Sequence, residues 1–126
     1  MVNTATVKGC TPTDSNLVET ADDALKLMLE SDKPNVKVMF DTIHALNRKE
    51  IPTDYVDKMR SNIIHVHISD LGRMPPGSHT DFSFLVEALK SIKYEGYLTM
   101  EIGLGDRGID GNSLAKQALK YMRSLL

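Results

Sequence analysis

The sequence predicts an α/β protein of three to four parallel βα units, a partial barrel amounting to half of the closed eight-stranded form. Three observations predict it. Short apolar runs, VKVMFD (Val36 to Asp41), IIHVHIS (Ile63 to Ser69) and YLTMEIG (Tyr97 to Gly103), alternate with segments of helical period. The spacing repeats, with 26 residues from Asp41 to His67 and 34 from His67 to Glu101, which is the rhythm of βα units in a parallel sheet. The chain has 126 residues, whereas a closed βα barrel takes about 250. One domain over residues 1–126 is expected at this length.

Each element has a local reason. VNTATVKG near the start is a weak strand, because Asn3 and Thr4 fill a doubly buried sheet poorly. From Asn16 to Asp32 a helix is expected, with Leu17, Ala21, Ala24 or Leu25, and Met28 on one stripe. Thr20 is its N-cap, Asp22 and Asp23 suit the first turn, and Pro34 stops it. A strand runs from Val36 to Asp41. A polar stretch, HALNRKEIPT, follows, then a short helix from about Thr53 to Arg60 signalled by Pro52 and Thr53. Ile63 to Ile68 is a strand, and Ser69 to Thr80 a long loop of the kind that often carries function. Asp81 opens a helix with Phe82, Leu85, Val86 and Leu89 on one face. Tyr97 to Ile102 is a strand and GLGDRGIDGN a glycine-rich loop without a phosphate-binding fingerprint. The closing helix, Ser113 to Leu126, carries Leu114, Ala118, Leu119, Met122, Leu125 and Leu126 as its stripe.

Composition narrows the function. With 41% hydrophobic and 25% charged residues and a net charge of −2, the chain offers no electrostatic footprint for nucleic acid or an anionic membrane. Its apolar runs are too short to span a bilayer, and MVNTATVKGC lacks the features of a signal peptide. A cytoplasmic protein is therefore expected. Cys10 is the only cysteine, so disulfide frameworks and CxxC zinc sites are excluded, and no base stands near it in sequence to make it a nucleophile.

The chemistry lies at the strand ends. A parallel sheet aims the C-terminal ends of its strands at one surface, where Asp41, His67 and Glu101 would converge on one divalent cation. Two carboxylates with one imidazole suit Mn²⁺, Mg²⁺, Co²⁺ or Zn²⁺ without choosing among them. A lone Asp at a strand end is commonly a helix cap, but three compatible ligands at successive strand ends are a pattern. His65 lies two residues before His67 on the same strand face and is read as a core histidine.

The runs MFDTIHA (Met39 to Ala45), HVHISDLGRMPPGSHTDF (His65 to Phe82) and LKSIKYEGYLTMEIG (Leu89 to Gly103), preceded by SNLVETADDALKLM, resemble the C-terminal half of the sugar phosphate isomerase/epimerase superfamily. These are xylose-isomerase-like TIM barrels, and the group most similar to this chain is that of the ketose 3-epimerases related to D-tagatose 3-epimerase. The resemblance covers about residues 16 to 103. It implies Asp41, His67 and Glu101 as metal ligands, Glu101 also as one of two acid/base carboxylates, and His44 and Arg73 as contacts to substrate oxygens. The implied reaction is isomerisation or epimerisation of a ketose or sugar phosphate, with proton abstraction alpha to a carbonyl and a divalent ion stabilising the enediolate.

The resemblance also implies a fourth ligand and second acid/base carboxylate from the preceding strand. Lys8 stands near that position, and no acidic residue occurs before Asp14. An ammonium repels a cation, so two further readings stand beside the first: an inactive truncated relative that binds metal or sugar, and a dehydratase of the same superfamily. Asp70 is the alternative second acid/base group within the chain. The endonuclease branch of these barrels needs more metal ligands and a basic groove that this chain lacks. A half barrel exposes strand edges and the inner face of its sheet, expected to be apolar, so a homodimer or higher homo-oligomer is expected.

Overall fold

A computed structural model describes the backbone of residues 2 and 3 and all of residues 17–103, 108 and 110–126. Four parallel strands, β1 (Val2–Asn3), β2 (Val38–Asp41), β3 (Ile63–Ile68) and β4 (Tyr97–Met100), pair in the order β1-β2-β3-β4. Spatial order follows chain order, so each crossover advances by one strand, as in a segment of a barrel. The expected α/β partial barrel is what forms. Lys8 and Cys10 lie outside the described residues.

Among the described residues, five α-helices accompany the strands: α1 (Ala21–Glu30), α2 (Thr42–Asn47), α3 (Pro52–Met59), α4 (Ser83–Ser91) and α5 (Gly111–Leu125). Thr20 caps α1 reciprocally: its Oγ1 accepts from the Asp23 amide at 3.2 Å, and Asp23 Oδ2 accepts from the Thr20 amide at 3.0 Å. Leu17 precedes this cap and is 83% exposed, so it does not join the stripe of Ala21, Ala24 and Met28 as the sequence predicts. The polar stretch after β2 is another departure, because its first residues belong to α2. Asp41 caps that helix and Ile43 and Ala45 are buried on it; six residues are too few to display a helical period.

Shorter boundary differences have local causes. α3 starts at Pro52, where a missing amide costs nothing. Asp81 does not begin α4 but stands ahead of it, Oδ1 accepting from the Ser83 amide at 2.9 Å. Asp110 does the same for α5, accepting from Asn112 at 3.3 Å and Ser113 at 3.2 Å. On α5, Leu114, Ala118 and Met122 are buried, whereas Leu119 and, just past its end, Leu126 are exposed.

Alternation along the strands sorts the sheet into two faces. Val38, Phe40, Val66 and Ile68 are fully buried and pack with Ala24, Val56, Met59, Phe82, Val86 and Met122 in one hydrophobic cluster. Phe40 also stacks on Tyr55 with ring centroids 5.2 Å apart. The opposite face, which in a barrel points inward, carries Met39, Asp41, His65, His67, Tyr97, Thr99 and Glu101. Most of it is polar, contrary to the apolar inner face expected from a half barrel, and Tyr97 is 80% exposed.

Candidate metal centre

Register brings the strand-end residues together. Asp41 pairs with His67 across β2 and β3, and His67 pairs with Thr99 across β3 and β4. Glu101 is two residues beyond Thr99 and so returns to the same face, where its amide donates to Ile68 O at 3.0 Å. The result is one potential ligand atom from each of Asp41, His67 and Glu101, all within 4.8 Å of one another. His67 Nδ1 lies 3.2 Å from Glu101 Oε2. Two oxygens and a nitrogen at this separation fit a hard or borderline divalent cation, with coordination positions left for other ligands.

Asp41 serves both as cap and as site residue. Its Oδ1 accepts from the Ile43 amide at 3.2 Å, while Oδ2 lies 3.3 Å from His44 Nε2. Burial pushes its pKa up, but the hydrogen bond and charge of His44, the Ile43 amide and the contact with Glu101 outweigh it, so the carboxyl is held below its ordinary value. A buried carboxylate kept ionised in this way is ready for a cation. His44, one turn into α2, is therefore beside Asp41, and its Nδ1 is buried without a hydrogen-bond partner.

Arg73 reaches the site from the 69–80 loop. Its Nη1 lies 2.7 Å from Glu101 Oε1, a charge contact without the alignment of a hydrogen bond, and both side chains are 40% exposed. Glu101 is thus held between Arg73 on one oxygen and His67 on the other. All five residues named from the sequence fall on this one patch. His65 lies deeper along β3 on the same face, with Nε2 3.0 Å from Thr99 Oγ1 and its ring edge-on to that of His67. It shares the face of His67, as the sequence predicts, but is half-buried on the inner face and is not a core histidine; the period-two alternation puts Tyr97 and Thr99 on that face as well.

Asp70 does not join them as an acid/base group. It is fully buried, Oδ1 accepting from Leu71 N and Thr80 Oγ1 at 2.8 Å each, Oδ2 from His79 N at 2.7 Å and Thr80 N at 2.8 Å. Burial raises its pKa, but the His79 and Thr80 donors prevail and lower it. A carboxylate with four donors has no lone pair to spare for a substrate proton.

Comparison with known proteins fits this geometry. The xylose isomerase-like TIM barrel family matches residues 9–125. The chain belongs to that family. Within it, the chain is 32% identical over 110 residues to a 3-dehydro-D-guloside 4-epimerase of Escherichia coli (strain K12), an alignment covering 86% of this chain and 41% of that protein. It is 25% identical over 99 residues to a D-psicose 3-epimerase of Enterocloster bolteae, covering 78% and 33%. The solved structure of a 3-keto-D-glucoside 4-epimerase from E. coli superposes with a TM-score of 0.69 at 27% identity, covering 89% of this chain and 41% of that one. A D-allulose 3-epimerase from Methylomonas sp. superposes with a TM-score of 0.82 over 90% of this chain and 45% of that one, a likeness of fold at 24% identity. The chain thus spans less than half the length of the xylose isomerase-like relatives it matches. No described helix is long and apolar enough to cross a membrane.

Proposed function

We propose that this chain carries the metal-holding side of a sugar epimerase or isomerase site, with Asp41, His67 and Glu101 as ligands to a divalent cation. The observation that carries this reading is the convergence of those three side chains at adjacent strand ends in a chain whose relatives are sugar epimerases. The ion, when bound, would polarise a ketose carbonyl and offset the negative charge of the enediolate. The protein's own groups do the rest. Asp41 stays ionised because His44 and the Ile43 amide favour its charged form. Glu101 exchanges the proton alpha to the carbonyl, and its partial exposure gives a sugar access to it. Arg73 and His44, each already beside a ligand carboxylate, orient both carboxylates and offer donors to sugar oxygens.

The engagement of Asp70 in the loop favours a second reading beside the first. Among the described residues, Glu101 is then the acid/base carboxylate at the patch, and inversion at a carbon needs another. On that reading the chain by itself binds metal and sugar and exchanges a proton without epimerising. NMR in D₂O, with Mg²⁺ as the ion and D-fructose or D-psicose as probe, separates the two. Epimer formation supports full catalysis; deuterium entering the alpha position without epimer supports the one-sided site. No exchange of any kind, with metal bound, contradicts both, and loss of water marks a dehydratase.

Among the described residues, no strand pairs with the outer edge of β1 or β4. We take these edges and the inner face to be covered by a second copy when the 126-residue chain is prepared on its own.

A further inference from the structure

We infer that Asp70 is a positioning residue for this site, its buried carboxylate closing the 70–80 loop so that Arg73 is presented to Glu101. The inference rests on the reading that Arg73 and Glu101 belong to a working site. The loop leaves β3 just after His67 and must turn back sharply. It does so through two consecutive left-handed residues, Gly72 at φ 66° and Arg73 at φ 56°. For arginine that conformation is unfavourable and persists only where the surroundings over-determine it.

The surroundings here are specific. Asp70 Oδ1 holds Leu71 N at the start of the loop, while Oδ2 holds His79 N and Thr80 N at its end, so one carboxylate joins the two ends of the loop. The Asp70 amide donates to Met74 O at 2.9 Å, fixing the residue after Arg73. Finally, the Gly103 amide donates to Arg73 O at 2.8 Å, tying the turn to the end of β4, two residues beyond Glu101. Arg73 is therefore placed by its backbone on both sides, and its guanidinium meets Glu101 Oε1 as a consequence. Asparagine at position 70 would have nearly the same shape, yet either orientation of its amide sets an NH₂ group against at least one backbone N–H donor.

Amide hydrogen exchange by NMR on wild type, Asp70→Asn and the milder Thr80→Val tests this without metal. The Gly103 amide reports the place of the Arg73 carbonyl, and the Glu101 amide, bonded to Ile68 O, reports strand pairing. Protection of Gly103 is expected to fall about tenfold relative to Glu101 in Asp70→Asn, and by less in Thr80→Val. An equal fall at both amides, or none at Gly103, would overturn the positioning role; if Asp70→Asn does not fold, Thr80→Val decides it by the same comparison. Mn²⁺ titration adds the route. Arg73→Met withdraws, and Asp70→Asn displaces, a positive charge 2.7 Å from a ligand oxygen, so each is expected to tighten Mn²⁺ binding several-fold, with the double variant no tighter than Arg73→Met. Independent, multiplying effects would contradict action through Arg73. Wild type that takes up no Mn²⁺ would remove the metal reading, while the exchange comparison would still decide the role of Asp70.

Discussion

Asp41 performs two tasks with its two oxygens, and substitutions can separate them. Asp41→Asn retains an acceptor for the Ile43 amide, so it should lower Mn²⁺ affinity at least about tenfold with little change in melting temperature. Asp41→Ala should lose the cap as well and cost about 1 kcal/mol more in urea unfolding. Asp70 gives a pH signature. Its folded pKa is depressed, so its contribution to stability is complete above the ordinary aspartate value and is lost as pH falls through the lower folded one. Stability measured against pH should therefore fall less steeply on the acid side in Asp70→Asn than in wild type. At this scale Asp41, His67 and Glu101 were legible because strand ends in a parallel sheet share one surface. The role of Asp70 was not, since its four donors include three backbone amides from residues adjacent to it and at the far end of a loop, which residue types do not reveal.

Among the elements, the loop between β3 and α4 shows how packing at a distance supports the site. Tyr121 on α5 accepts from the Phe82 amide at 2.9 Å and lies across Gly77, which has φ 84°. A Cβ at Gly77 would come within 2.6 Å of the Tyr121 ring. Gly77→Ala should therefore cost about 1–3 kcal/mol through the left-handed backbone and the clash together, read by denaturant unfolding. Replacing Tyr121 with Leu in the same protein should recover part of that cost, which a purely conformational penalty would not permit. Strong period and end signals made β3, α4 and α5 readable from sequence. α2 was hidden because six residues are too few to show a helical period and it opens a stretch that reads as polar. β4 ends at Met100, two residues short of the expected Ile102, although the Glu101 amide still bonds to Ile68 O of β3.

For the molecule as a whole, the sheet buries one face under helices and leaves the other polar and partly open. The sequence led to an apolar inner face because strand composition was read without sorting alternate residues, and His65, Tyr97 and Thr99 fall on that side. Self-association of the 126-residue chain should then depend on pairing at the edges of β1 and β4 more than on apolar burial. Light scattering coupled to size exclusion should give a mass of at least twice 14.0 kDa, and a proline at Leu98 in edge strand β4 should shift it toward one. A 14.0 kDa species at all concentrations would contradict this. The central claim, that Asp41, His67 and Glu101 form a cation site, is tested most directly by calorimetric titration of metal-stripped protein with Mn²⁺, beside Asp41→Asn and His67→Ala. The account requires one site per chain in wild type, weakened at least about tenfold in each variant; equal binding by all three proteins would contradict it.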